Sequence, residues 1–173
     1  MIPVIAFTAW EGPRRETVRR IPSSSEEVKD FVDEALGCFT NRYPSQRQPA
    51  FFYRREPEGR FPYACLRATI DHTGSYAALL WYGTGPKDGI HDRLWLSDNL
   101  EPTGDEPELI ADDHTGAVYA PSSVLPLAQI VPVIHQFCLD GTGERPAGIN
   151  WVTGEFNGYR HGSRTGGEPG QGA

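Results

Sequence analysis

The clearest periodic pattern in this chain predicts an α-helix that begins near residue 25. Three serines at positions 23–25 precede Glu26 and Glu27, an arrangement typical of the capping box at a helix N-terminus. Apolar residues then recur at i, i+3, i+4, i+7, i+8 and i+11, and they are Val28, Phe31, Val32, Ala35, Leu36 and Phe39. Because charged residues occupy the opposite side, the pattern predicts a helix with one buried face.

A second helix is predicted over residues 127–139, with Pro126 in its first turn. Its predicted buried stripe consists of Leu127, Ile130, Val131, Ile134 and Phe137. Pro132 interrupts this pattern because proline lacks the backbone N–H that a helix interior requires, so the helix either kinks there or begins later. Gly141 and Gly143 are expected to end it.

Segments rich in β-branched and aromatic residues predict strands before and after the first helix. The predicted strands span residues 2–9, 49–56, 63–70, 76–82, 93–97, 117–120 and 149–153. Turn residues at 71–74 predict a hairpin between two of them. Alternation places Ala64, Leu66, Ala68 and Ile70 on one face of a strand and Cys65, Arg67 and Thr69 on the other. This alternation fits a sheet that a helix covers on one side.

The order of these elements predicts the α+β class, with a single mostly antiparallel sheet and two helices packed on one face. A chain of 173 residues with 38% hydrophobic residues is long enough for one domain with a substantial core. We expect this domain to span residues 1–156, and residues 157–173, rich in Gly, to form a disordered tail. Residues 98–116, rich in Pro, Gly and acidic side chains, are predicted to be a loop.

Charge is distributed unevenly along the chain. Residues 94–144 contain nine carboxylates and no Lys or Arg, and seven of these carboxylates lie between Asp98 and Asp113. The balance is +1 up to Arg93 (13 basic, 12 acidic) and −8 after it (3 basic, 11 acidic), which together give the net charge of −7. An acidic half indicates a partner with a basic surface, because complementary charge raises encounter rates. A solvated loop that serves solubility is an equally good interpretation of the charge alone.

The sequence indicates neither a membrane segment nor a metal site. It has no run of roughly 18 apolar residues and no basic leader with a cleavage site, so we expect a soluble cytoplasmic protein with no membrane partner. Cys38, Cys65 and Cys138 form no CxxC pair, which predicts reduced thiols. His135 and Cys138 are a metal-like pair, but two ligands do not hold zinc, and the acidic loop lacks EF-hand spacing. No cofactor or metal is expected.

Acid and histidine neighbours keep an enzyme open as an alternative. They are Asp71 with His72, His91 with Asp92, and Asp113 with His114. Adjacent side chains of a strand point to opposite faces, so two residues that are neighbours in sequence are not thereby a catalytic dyad. The sequence has no nucleophile elbow, Walker loop or zinc-deaminase motif. We therefore predict no catalytic residue, and the alternatives are a small α+β enzyme that uses a His-Asp pair or a small-ligand-binding domain.

Basic clusters at residues 14–20 and 54–60 raise a third possibility, nucleic-acid binding. The net charge of −7 opposes it, because a polyanion binder gains affinity from a positive face. We expect these arginines to pair with nearby glutamates such as Glu11, Glu16, Glu56 and Glu58, and we predict no nucleic-acid partner.

The C-terminal half of the chain resembles a known family. Residues 94–96 read Leu-Trp-Leu, residues 119–121 read Tyr-Ala-Pro, and residues 125–127 read Leu-Pro-Leu. The helix that follows leads to Gly-Glu-Arg-Pro at 143–146 and Ile-Asn-Trp at 149–151. This order resembles the first of the numbered immunity-protein families of bacterial polymorphic toxin systems, often found beside deaminase or nuclease toxins. The resemblance implies scaffold roles for Trp95, Gly143, Arg145, Pro146 and Trp151.

The resemblance further implies a non-enzymatic protein that binds one cognate toxin domain. Toxins that act on nucleic acid need a basic groove for phosphates, and a carboxylate-rich loop is able to occupy such a groove. We therefore hypothesise that the loop neutralises its toxin by occluding a basic substrate site. Nanomolar affinity, about −12 kcal/mol, also requires apolar anchors. Candidate anchors are Leu100, Leu109, Ile110 and Tyr119, and an interpretation at least as good is that they fix the loop to its own domain. The predicted toxin-binding residues are Asp98, Glu101, Asp105, Glu106, Glu108, Asp112, Asp113, Leu109 and Tyr119.

Overall fold

Ten strands and two α-helices make up the described part of the chain. A computed structural model describes residues 4–11, 14–20, 22–41, 50–55, 64–83, 94–112, 114–140 and 142–161. The helices are α1 (Ser25–Asn41) and α2 (Leu127–Asp140). The strands are β1 (Val4–Glu11), β2 (Arg14–Arg20), β3 (Ala50–Arg55), β4 (Ala64–Ile70), β5 (Tyr76–Gly83), β6 (Leu94–Asp98), β7 (Ile110–Asp112), β8 (Ala117–Val118), β9 (Val124–Pro126) and β10 (Asn150–Thr153).

One antiparallel sheet contains eight of these strands. Seven follow the order β10-β6-β5-β4-β3-β1-β2, and the eighth, β9, also pairs with β5. Residues 80–82 of β5 pair with β6 and residues 76–78 pair with β9, so one long strand carries two short neighbours along its length. β7 and β8 form a separate two-stranded pair. The predicted α+β class with a mostly antiparallel sheet is confirmed.

Helix α1 begins where the sequence predicts. The Ser24 hydroxyl accepts the backbone N–H of Glu27 at 3.2 Å, and the Glu27 carboxylate accepts the Ser23 N–H at 2.5 Å. The first bond satisfies an N–H group that the first turn of a helix leaves without a partner, and the second fixes the chain just before the helix. The predicted stripe is buried at Val28, Phe31, Val32 and Ala35, with Leu36 partly buried beside them.

Helix α2 is confirmed, but part of its predicted stripe is wrong. The helix buries Ile130, Val133, Ile134, Phe137 and Cys138, whereas Val131 is only half-buried. Pro132 lies inside the helix on an exposed position, so the hydrogen bond that it lacks falls on the solvent side. The helix begins at Leu127, and the alternative of a start after Pro132 is therefore wrong.

Both helices pack on the same face of the sheet. Their buried residues form one cluster with alternate residues of β3, β4 and β5, among them Phe52, Leu66 and Leu79. The four β4 residues predicted to share a face, Ala64, Leu66, Ala68 and Ile70, all belong to this cluster. The predicted packing of two helices on one face is confirmed. We call this the helix face and the opposite one the back face.

Three strands and one turn lie where the sequence did not predict them. β2 occupies a segment expected only to be charged, β7 interrupts the predicted loop 98–116, and β9 includes Pro126, which was expected in the helix. Residues 157–161, placed in the predicted tail, turn back to the sheet, and the His161 N–H donates to the Thr153 carbonyl at 2.8 Å. The predictions for residues 162–173 and for Gly141 lie outside the described residues.

Candidate partner-binding surface

A second layer of structure covers part of the back face. It consists of residues 99–112, 114–120 and 154–161, and we call it the back lobe. Leu109, Ala111 and Tyr119 from this lobe pack against sheet residues that face away from the helices. Those sheet residues and the adjoining Val124 complete a second buried cluster, which contains Ala78, Leu80, Leu94, Leu96 and Val124. The back lobe is therefore fixed to the domain by its own small core.

Arg67 on β4 connects both segments of the lobe to the sheet. Its guanidinium donates to the Tyr119 hydroxyl at 2.6 Å and to the Phe156 carbonyl at 3.0 Å. The Phe156 ring in turn contacts Tyr82 of β5, with 5.4 Å between the ring centres. Gly158 adopts φ +83 and approaches Ala111 so closely that a Cβ added there would lie 2.5 Å from the Ala111 Cβ. The turn at 154–161 and the β7–β8 pair therefore form one unit.

Asp98, the first predicted toxin-binding residue, is committed to an ion pair within the fold. Its carboxylate accepts from the Arg160 guanidinium, and both side chains are largely buried. The same guanidinium donates to the Ser122 carbonyl and to the Ser123 hydroxyl. Asp98 therefore ties the end of the described chain to β6, and it is not a free acidic group on the surface.

Three other predicted residues, Glu101, Asp105 and Glu108, are exposed on the lobe. Glu106, between them, stabilises the local backbone, because its carboxylate accepts the Thr103 N–H at 2.6 Å and the N–H of the following glycine at 2.8 Å. The backbone hydrogen bond from Thr103 is the main cause that lowers the pKa of Glu106 below its usual value. The segment is therefore ordered by one carboxylate and presents three more to solvent.

Asp112 has a similar structural role in the turn between β7 and β8. It accepts the Thr115 hydroxyl at 2.8 Å and the His114 N–H at 3.0 Å, and the bond from Thr115 is the largest cause of its lowered pKa. Both contacts stabilise the ionised form, so Asp112 stays charged while it holds the turn. Asp113, also predicted to bind the toxin, lies outside the described residues.

The apolar candidates divide into buried and exposed residues. Leu109 and Tyr119 are 3% and 2% exposed, and they belong to the core beneath the lobe. Leu100 and Ile110 are exposed, and Ile110 lies opposite Val118 in the β7–β8 pairing. Val118 was not singled out from the sequence, although strand alternation with the neighbouring Tyr119 contains the signal.

The turn at 154–161 adds further exposed aromatic residues that sequence reasoning missed. Phe156 and Tyr159 are both more than half exposed, and the centres of the Tyr159 and His161 rings are 6.1 Å apart. Tyr159 falls in the segment that was expected to be a disordered tail, whereas Phe156 lies at the end of the predicted domain and was not singled out. The back lobe thus presents apolar side chains next to its carboxylates.

Four of the predicted scaffold residues form two contacts on the helix face. The Arg145 guanidinium lies 3.6 Å from the centre of the Trp95 ring, and the Trp151 indole N–H donates to the Pro146 carbonyl at 2.7 Å. The guanidinium stacks on the Trp95 indole, and the hydrogen bond satisfies the polar N–H of Trp151.

Gly143, the fifth scaffold residue, receives a third tryptophan. Its carbonyl accepts the indole N–H of Trp81 at 3.3 Å, and its φ of +72 favours glycine. Trp81 lies opposite Trp95 in the pairing of β5 with β6. The segment 143–146 therefore contacts the tryptophans of β5, β6 and β10.

The His-Asp pairs do not form a common polar site within the described residues. Burial alone would raise the pKa of Asp71, but hydrogen bonds from Thr73, Tyr76 and Ser75 outweigh it and hold this pKa below its usual value. Asp71 is thus a turn residue, and His72 beside it is exposed. The pair at 91–92 and residue 113 lie outside the described part of the chain.

The predicted metal-like pair also has structural surroundings. His135 lies 3.9 Å from the Asp33 carboxylate of α1, and Cys138 is buried in the helix-face core. In the described ranges, no three His, Cys, Asp or Glu side chains converge as metal ligands do. A helix long and apolar enough to cross a membrane is likewise absent from the residues that the structure describes.

These features define an α+β protein that has a tryptophan-rich scaffold on one face of its sheet and an acidic, partly apolar lobe on the other. The family model described as Immunity protein Imm1 matches residues 16–153, which is most of the chain. The chain belongs to this family of immunity proteins, and membership implies a toxin as partner. Curated proteins and solved structures gave no match. The family resemblance found in the C-terminal half is confirmed.

Proposed function

We propose that the protein neutralises a cognate toxin domain in the cytoplasm by binding it with the back lobe. The observation that carries this proposal is the juxtaposition of exposed carboxylates with the exposed Ile110–Val118 pair in one ordered lobe. The toxin domain would present a basic surface to this lobe. A basic substrate groove is the feature expected of a toxin that acts on nucleic acid, such as a deaminase or nuclease.

The carboxylates supply the electrostatic part of this interaction. Glu101, Asp105 and Glu108 are exposed, and within the described residues none of them pairs with a basic side chain. Exposed pairs contribute about 0–1 kcal/mol each, so three of them cannot account for tight binding. Their main effect is on the association rate, because an acidic patch attracts a basic surface before contact.

The apolar residues supply the remaining part. Ile110 is 43% exposed and Val118 is 46% exposed, although both lie on a lobe that its buried residues fix to the sheet. Such a pair on a rigid support loses little side-chain entropy on binding, which favours its use as an anchor. Leu100, Phe156 and Tyr159 enlarge the exposed apolar area of the same lobe. Carboxylates at the rim and apolar residues at the centre are the usual anatomy of a protein interface.

The test compares two triple variants that carry the same change of charge. Glu101→Gln, Asp105→Asn and Glu108→Gln remove three negative charges from the lobe, and Asp30→Asn, Asp33→Asn and Asp140→Asn remove three exposed charges from the helices. We expect the lobe variant to bind the toxin domain about tenfold more slowly at low salt, with a flatter salt dependence. The helix variant should associate almost as fast as the wild type. Equal association rates for the two variants would remove the lobe from the interface.

A further inference from the structure

A cleft of about 630 Å³ opens on the back face between the β7–β8 pair and the turn at 154–157. Apolar walls come from Leu94, Ala111 and Phe156, and charged groups come from Arg67, Asp112 and Glu155. The volume lies in the range of small-ligand sites, which is about 300–1,000 Å³. The cleft is separate from the exposed Ile110–Val118 pair, because those residues point outward from the lobe.

Arg67 is the unusual group in this cleft. It is only 9% exposed, and its Nε is buried without a hydrogen-bond acceptor in the described structure. The two bonds that the guanidinium donates go to neutral oxygens, the Tyr119 hydroxyl and the Phe156 carbonyl. A buried cation that lacks a counter-ion is costly, because the desolvation of its charge is not offset by an opposite charge.

The two carboxylates that line the cleft do not serve as this counter-ion. Asp112 is engaged with the turn residues His114 and Thr115, and Glu155 lies 3.1 Å from the His161 ring. Among the ion pairs of the described residues, none joins either carboxylate to Arg67. The positive charge at the base of the cleft is therefore available to a bound group.

We propose that this cleft binds a carboxylate group and that Arg67 is its counter-ion. A planar carboxylate matches the donor geometry of a guanidinium, and the apolar walls suit a hydrocarbon remainder. A dianion such as phosphate fits less well, because Asp112 and Glu155 would repel its second charge. The carboxylate belongs either to a small organic acid or to an Asp or Glu side chain of the bound toxin domain.

The test measures the Nε–H resonance of Arg67 by NMR on the full chain labelled with ¹⁵N-arginine. This resonance is identified by its disappearance in Arg67→Lys. Butyrate is the probe, and butyramide is its neutral isostere. We expect butyrate to shift the resonance saturably in the millimolar range, butyramide to have no such effect, and phosphate to bind more weakly than butyrate.

A second variant keeps Arg67 and is expected to strengthen the binding of butyrate. Glu155→Gln removes one repulsive charge from an exposed position, so butyrate should bind about two- to fivefold more tightly. Adding the toxin domain then distinguishes the two sources of the carboxylate. If a toxin side chain occupies the cleft, butyrate no longer binds in the complex. If the cleft takes a small organic acid, butyrate still binds in the complex. Both results support a carboxylate site. The butyrate titration of the free protein tests that site without the toxin.

The proposal is overturned if butyrate acts no differently from butyramide and the resonance also stays unchanged in the toxin complex. It is equally overturned if Glu155→Gln weakens the binding of butyrate. Neither result would affect the proposed role of the lobe surface, because that role is tested by association rates and does not require an occupied cleft.

Discussion

Asp98 and Arg160 form a largely buried ion pair that joins the end of β6 to the turn following β10. Arg160 also donates to the Ser122 carbonyl, so this one guanidinium joins its own turn to two other parts of the chain. The back lobe lies on both sides of this contact. Its position on the sheet therefore depends on a pair of residues that are 62 positions apart in sequence.

Removal of one partner of this pair should destabilise the protein strongly. Asp98→Asn leaves the Arg160 charge partly buried without a counter-ion, and we expect the free energy of unfolding to fall by about 3 kcal/mol. Urea denaturation measures this change. In Asp98→Asn combined with Arg160→Met, no unpaired charge is left, so the loss should be smaller than the sum of the two single losses. Strictly additive losses would show that the two residues do not interact.

Apolar contacts of the lobe should control the rate at which the toxin complex dissociates. Ile110→Ala and Val118→Ala each remove exposed apolar surface, and we expect each to speed dissociation about 5- to 30-fold, which corresponds to about 1–2 kcal/mol. Surface plasmon resonance measures the dissociation rate. Leu139→Ala is the matched control, because Leu139 is similarly exposed but lies on α2. If the three variants dissociate at the same rate, these residues are not anchors.

The Asp71 carboxylate should make stability depend on pH in the acidic range. Its pKa is lowered in the folded state, so its contribution is complete above the unfolded value of about 3.9 and is lost as the pH falls through the lower folded value. Asp71→Asn should therefore reduce the free energy of unfolding by about 1–3 kcal/mol at pH 7. The difference between the two proteins should narrow below about pH 4. A difference that is constant down to pH 2 would contradict this assignment.

Close packing of Gly158 against β7 should be visible when Gly158 and Gly104 are each replaced by alanine. Gly158 and Gly104 both have positive φ, so alanine strains the backbone by about 1 kcal/mol at each position. A Cβ at Gly158 also meets Ala111 at 2.5 Å, whereas nothing lies within 4 Å of one at Gly104. We expect Gly158→Ala to lower the melting temperature more than Gly104→Ala does. Equal shifts would show that the turn is not packed on β7.

Helices and the central hairpin were predictable because their signals are local and repeated. The α1 stripe recurs over three turns, and a serine-glutamate cap marks its start, so no distant contact is needed to recognise it. The alternation of Ala64, Leu66, Ala68 and Ile70 fixes the face of β4 in the same way. Local patterns that agree with the tertiary fold are those that sequence reasoning reads correctly.

Elements that depend on distant partners were not predictable. β2 consists mostly of charged residues and exists as an edge strand because β1 pairs with it. β9 has three residues and ends in proline, and its pairing with β5 defines it. On α2, the choice of Val133 instead of Val131 for the core depends on how the helix is oriented on the sheet.

The acidic composition of residues 98–113 was visible in the sequence, but which of their side chains are exposed was not. The acidic character of residues 98–113 is a matter of composition, whereas the burial of Asp98 depends on Arg160, far away in sequence. Leu109 is buried and its neighbour Ile110 is exposed. In the same way, Tyr119 is buried and its neighbour Val118 is exposed. Strand register determines such choices, and three-residue strands carry too little pattern to reveal it.

The sheet stands between the helix layer and the back lobe, and this has a consequence for how such proteins diversify. Residues 99–108 contribute no side chain to the helix-face core, so their replacement would leave that core unchanged. On the proposed role of the lobe, a lineage could exchange this segment, and so bind a different toxin, while the helix-face core stays the same. Divergence of recognition would proceed on one side of the molecule, and conservation of folding on the other.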